Sequence, residues 1–154
     1  MVLEIRRAKA DEREAILRVM EPANMHHVPS PEMGELDLDN FFVATVDDQI
    51  VGSAGFAILP DGNGKTTLLA VLPEYRGLHI GKKLQDARLR AMHARGARTV
   101  TTNADRPETI SWYKRWYGYY EVGSLDKIHS FGDPDISSWT TLEMDLSAWI
   151  SNAQ

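Results

Sequence analysis

At 154 residues, 43% hydrophobic and 25% charged, the chain is long enough for one domain with its own core and has the composition of an ordinary soluble globular protein. A formal net charge of −5 lacks the basic footprint expected of a nucleic-acid binder, and no apolar run approaches the roughly 18–20 residues of a membrane span. The absence of cysteine removes disulfides, thiolate metal sites and cysteine nucleophiles. It permits a cytoplasmic setting, and the early charges of "MVLEIRRAKADERE" do not read as a signal peptide.

Alternation in "LEIRRA" predicts a first strand. "ADEREAILRVMEP" then reads as a helix, with Asp11 as cap, Glu14 three residues on, Ile16, Leu17 and Met20 on the apolar face, and Pro22 as stop. "ANMHHVPSPEMGELDLDN" has no clean period and is read as an irregular passage with a short helix near Glu32–Leu36. "NFFVATVDDQIVGSAGFAIL" has the pattern of a hairpin turning at Asp47-Asp48. A second turn at Asp61-Gly62 and Asn63-Gly64 returns the chain as the strand "KTTLLAVL".

Ile80, Leu84, Ala87, Leu89, Ala91 and Met92 predict a helix ending at Gly96. "ARTVTTNA" follows as a strand, and Pro107 opens a helix over "PETISWYKRW". "YYEVGSLDKI" and "SWTTLEMDLSAW" read as two late strands around a turn-rich segment. Together these predict a single α+β domain over residues 1–154: a mixed, mostly antiparallel sheet with flanking helices. Its one parallel contact joins "LLAVL" to "ARTVTT" across the intervening helix.

The segment "YRGLHIGKKL" feeds a strand into that helix through a loop flexible at Gly77, permissive at Gly81 and basic at Arg76, Lys82 and Lys83. A helix start leaves amides without intrahelical partners and favours anions, so the loop suits a phosphate. The glycines alone fit an ordinary tight turn with solvated lysines better than a phosphate site. The loop matches neither of the glycine-rich nucleotide-binding patterns.

As a whole, "LLAVLPEYRGLHIGKKL" resembles the signature of the GCN5-related N-acetyltransferase (GNAT) superfamily, "V-x-P-x-[YFW]-[QR]-x-x-G-x-[GA]" between a strand and a helix. "NADRPETISWYKRWYGYYEVG" resembles its second signature region. The resemblance extends to the order of elements along nearly the whole chain, and implies the GNAT fold and acetyl-coenzyme A (acetyl-CoA) as donor. It implies that the main chain of Leu69 to Val71, with Ala70 between them, binds the pantetheine arm and polarises the thioester carbonyl. Arg76, Gly77, Leu78, His79, Ile80, Gly81 and Lys82 would wrap the pyrophosphate, chiefly through main-chain N–H groups. Asn103 resembles the residue that contacts the coenzyme arm, and Tyr113 the tyrosine that protonates the departing thiolate. Phenols titrate near about 10 and thiols near about 8.5, a suitable match for that transfer.

The sequence departs from the pattern in three places. His79 stands where the family has glycine, at the cost of strain if the backbone there needs a positive φ. Tyr113 lies one residue further from Gly118-Tyr119 than usual, and Thr66 and Thr67 occupy the strand position where many members carry a glutamate. Candidate bases are therefore Glu21, His26, His27 and Glu32. The histidines suit the role because imidazole titrates near about 6.5, although they also fit a solvated surface. Trp112 and Trp116, four apart, are expected in the core, while exposed aromatics would mark a homodimer contact. Three functions remain: an N-acetyltransferase for a small-molecule amine, which the polar segment over residues 21–33 favours; a protein or peptide N-acetyltransferase; and a non-catalytic acyl-CoA-binding module.

Overall fold

The computed structural model describes residues 1–24, 36–128 and 132–153. Seven strands, β1 (Leu3–Arg7), β2 (Phe41–Val46), β3 (Gln49–Ile58), β4 (Gly64–Val71), β5 (Thr99–Ala104), β6 (Tyr120–Asp126) and β7 (Ser138–Asp145), form a sheet in the order β1-β2-β3-β4-β5-β7-β6. Four α-helices accompany them: α1 (Arg13–Met20), α2 (Ile80–Ala94), α3 (Pro107–Tyr117) and α4 (Leu146–Asn152). The β1–β2, β2–β3, β5–β7 and β6–β7 pairs are antiparallel, and β4 meets β5 in parallel at Gly64↔Val100 and Lys65↔Thr101. This is the α+β class the sequence predicts. The chain clusters into two compact units, Met1–Phe56 with Thr67–Leu89, and Ala57–Thr66 with Arg90–Gln154. Among the described residues no helix is long and apolar enough to cross a membrane.

In the first unit, Asp47 and Asp48 both take positive φ (49° and 70°), the twist a two-residue hairpin turn requires. Ala44, Val46, Val51, Ala54, Ile80 and Leu84 form a buried cluster, with Leu69, Val71 and Leu72 packed against it. The start of α2 is thus fixed by its own apolar residues. Helix α1 begins at Arg13 without the expected cap from Asp11. Glu12 lies at that position, but its carboxylate is held by Arg6 through two bonds of 2.9 and 2.7 Å and by the Lys9 N–H at 2.7 Å. Pro22 does not end the helical path at once: Glu21–Ala23 continue as a 3₁₀ turn closed by Asn24 in the left-handed region.

The second unit corrects two expectations. The "LSAW" end of the last predicted strand is instead the first half of α4, because the Asp145 carboxylate accepts the Ala148 N–H at 3.0 Å and caps a new helix. Trp116 is 55% exposed rather than in the core. Tyr113 and Tyr117 take the buried positions of α3, with Trp112 against both at ring separations of 5.0 and 5.3 Å. The edge strand β6 is exposed along its length.

Candidate active site

In the first unit, β4 alternates buried Leu68 and Ala70 with half-buried Leu69 and Val71. Pro73–Tyr75 form one 3₁₀ turn, after which Arg76, Gly77, Leu78 and His79 are exposed. The loop is anchored at its far end by Ile80, 2% exposed, and Leu84, fully buried. The side chain of Ile80 therefore faces the core, leaving only its main chain for a ligand. The first i→i−4 bond of α2 runs from the Lys83 N–H to the His79 carbonyl at 3.1 Å, so Ile80, Gly81 and Lys82 form the helix's open first turn. Lys82 also pairs with Asp86 at 3.2 Å.

Two turns of backbone in this loop are left-handed: Gly77 at φ 85° and His79 at φ 59°. The position where the family pattern has glycine does need positive φ, and His79 occupies it with its side chain in solvent. Gly81 is different. It lies within α2, outside the positive-φ set, and a Cβ there would meet no protein atom within 4 Å. Neither conformation nor internal packing asks for glycine at 81, and its bare main chain is open to close approach. The helix start, its basic flanks and a bare main chain together fit a diphosphate group.

In the second unit, Asn103 lies near the end of β5, where its side-chain carbonyl accepts the Thr141 hydroxyl at 2.7 Å. That bond orients the amide so that its NH₂ is the end able to donate to a ligand. Tyr113 is 5% exposed, packed edge-on to Trp112 and Tyr119, each 5.0 Å away between ring centres. The residue added ahead of Gly118 is accommodated within α3, which extends through Tyr117 and ends with Gly118 at φ 68°. Thr66 is buried and its hydroxyl bonds that of Thr102, a structural use that supplies no base.

Glu21 is exposed at the end of α1. His26, His27 and Glu32 lie outside the described residues, as does most of the short helix expected near Glu32–Leu36. A groove of about 350 Å³ lined by Glu12, Arg18, Asp48 and Leu72, among others, includes none of the sequence-predicted site residues. Among the described residues, no cluster of three or more His, Asp or Glu side chains is placed to hold a metal ion.

Two polar clusters escaped the sequence reading. Arg88 and Gln85 on α2 are 1% and 0% exposed. Their signal was the spacing of four linking Leu84, Arg88 and Met92 on one buried stripe. In the second unit, Lys127 Nζ lies 3.0 Å from Asp105 Oδ2 and 4.5 Å from the Trp139 ring centre. Burial alone would push the Asp105 carboxyl up, but the Asp133 N–H, Lys127 and the Arg106 N–H outweigh it and hold it below the usual carboxylate range. This network ties the β5–α3 corner to the segment after β6.

The family model of the acetyltransferase (GNAT) domain matches residues 37–121, more than half of the chain. N-alpha-acetyltransferase 30 of Schizosaccharomyces pombe is 33% identical over 110 residues, 65% of this chain and 70% of the relative. The fold is similar to Ard1 from Thermoplasma volcanium, with TM-score 0.76 and 20% identity over 94% of this chain and 98% of that one. It is also similar to N-acetylglutamate synthase from Neisseria gonorrhoeae, solved with coenzyme A and N-acetyl-glutamate (TM-score 0.73, 15% identity, 95% of this chain and 35% of that one). The chain belongs to the GNAT acetyltransferase family.

Proposed function

We propose that this protein is an acetyl-CoA-dependent N-acetyltransferase that acts by direct attack of a neutral amine, with no acyl-enzyme. The observation that carries the coenzyme reading is the bare main chain at Gly81, in the first turn of a core-anchored helix. Bound acetyl-CoA supplies the activated acetyl thioester. The loop Arg76–Lys82 holds the diphosphate through main-chain N–H groups, with Arg76 and Lys82 adding positive charge. Main-chain N–H groups of Leu69 and Val71 stabilise negative charge developing on the acetyl oxygen. Asn103 donates to the coenzyme arm, and the Tyr113 hydroxyl gives its proton to the departing thiolate. The base that leaves the acceptor amine neutral is assigned to the His26, His27, Glu32 group.

For the acceptor we favour the α-amino group of a peptide or protein, because the 33% identical relative is an N-alpha-acetyltransferase. A small-molecule amine is the second reading, supported by the polar, proline-containing sequence around His26, His27 and Glu32. We place the reaction in the cytoplasm. We place a homodimer contact at Trp116 and the exposed β6 residues Tyr120, Val122 and Leu125. The test is an acceptor panel of short peptides with free N-termini, their N-blocked forms, amino acids and polyamines, read by amine-dependent release of coenzyme A. Turnover on free but not blocked peptides supports the first reading, and turnover only on small amines supports the second. Silence across the panel contradicts the enzyme.

A further inference from the structure

Arg88 is an expensive residue in its position. It is 1% exposed on the core face of α2, between Leu84 and Met92, where leucine would complete an apolar stripe. Burying a guanidinium forfeits its hydration, a large cost unless its donors are well used. Here they are used on the main chain. Nη1 donates to the carbonyl of Leu68 on β4 at 3.3 Å and to that of Gly55 on β3 at 3.1 Å. Nε donates to Gln85 Oε1 at 2.5 Å, and Gln85, itself fully buried, fixes the guanidinium plane. Gly55 itself has no room for a side chain, since a Cβ there would collide with the Thr67 hydroxyl and the Phe41 ring.

The carbonyl of Leu68 and the N–H of Leu69 belong to one peptide group. That group is planar and conjugated, with the carbonyl and the N–H pointing to opposite edges of the strand. A cation bonded to the oxygen draws electron density out of the amide nitrogen and makes the N–H a stronger donor, an effect enlarged in a medium of low dielectric. We infer that Arg88 tunes the Leu69 N–H as an oxyanion donor: a buried positive charge acts through one peptide bond on the acetyl carbonyl without touching it. Arg88 is thus a positioning and polarising residue, and the inference rests on the proposed role of Leu69 in acetyl transfer. A purely structural staple between α2, β3 and β4 would need the hydrogen bonds but not the charge.

The test uses the full chain with acetyl-CoA carrying ¹³C at the thioester carbonyl. The carbonyl stretch of the bound thioester is compared in wild type and Arg88→Met, alongside coenzyme A affinity and the single-turnover rate with the best acceptor. Polarisation lowers the stretch in wild type. In Arg88→Met the band moves back up and the single-turnover rate falls about tenfold, while coenzyme A affinity changes by less than about threefold. Arg88→Gln also removes the charge, its shorter amide reaching only as far as Nε does, and it carries the same comparison if the methionine variant does not fold. A lowered stretch in wild type that neither neutral variant alters overturns the role of Arg88 and leaves acetyl transfer standing. A thioester band that wild type does not perturb on binding contradicts both.

Discussion

Replacing His79 with glycine separates what its backbone does from what its side chain does. His79 sits at φ 59° immediately before α2, with its carbonyl accepting the first helical bond. Left-handed geometry costs an L-residue about 1–2 kcal/mol, and glycine loses about 0.5–1 kcal/mol more chain entropy on folding. His79→Gly should therefore stabilise the fold by about 0–1.5 kcal/mol. Because the main chain is taken to hold the diphosphate, coenzyme A affinity should stay within about threefold. His79→Val tests the other direction: a β-branched residue is a genuine outlier at positive φ, so stability and coenzyme affinity should both fall. Denaturant melts and coenzyme A titration calorimetry read both effects. A glycine variant that binds coenzyme A more than tenfold weaker, about 1.4 kcal/mol, would refute this reasoning and make the imidazole a phosphate donor.

Tyr113→Phe should lower the single-turnover rate about 10²–10⁴-fold with coenzyme A binding retained, and an unchanged chemical step would remove Tyr113 from the mechanism. Lys127→Met should cost about 1–3 kcal/mol by leaving the partly buried Asp105 carboxylate with main-chain donors but without its cation. Pairing it with Asp105→Asn should cost less than the sum of the two single changes, and strict additivity in denaturant melts would contradict the coupling. Hydrogen bonds from Arg6 hold Glu12 down at about 2 from 4.5, against the opposing pull of desolvation. Its contribution is present above about pH 4.5 and is lost as pH falls toward 2. Since both side chains are partly solvated, it is of order 1 kcal/mol. Glu12→Gln should flatten the acid limb of thermal stability over that window, and an acid limb unchanged in the variant would contradict the linkage.

Much of the frame was legible because its signals are local. The Asp47-Asp48 turn, the Gly96 stop and Pro107 at a helix start all act through backbone geometry carried by single residues. The coenzyme loop was legible as an ordered run of residue types, although its glycines alone fitted an ordinary turn. What sharpened it is tertiary: Ile80 and Leu84 anchor the helix, and Gly81 has open space where a side chain would go. Helix α4 was missed because "LEMDLSAW" continues a strand-like composition, and only the Asp145 side chain turns it into a helix. Arg88 was missed because a cation in a helical pattern reads as a solvent-facing residue. Its burial follows from carbonyls supplied by strands about 20 and 33 positions away in the chain. Glu12 escaped as the residue at the start of α1 because the arginine that holds its carboxylate lies on β1.

The central claim is transfer of an acetyl group to an amine by this chain. Its most direct test is mass spectrometry of acceptor and coenzyme from one reaction, with purified protein, acetyl-CoA and free-N-terminus peptides beside small amines. The account predicts an acceptor heavier by one acetyl group and an equal amount of free coenzyme A, with no acetyl left on the protein. Coenzyme A release without an acetylated amine, or an acetylated protein intermediate that later delivers the group, would contradict it.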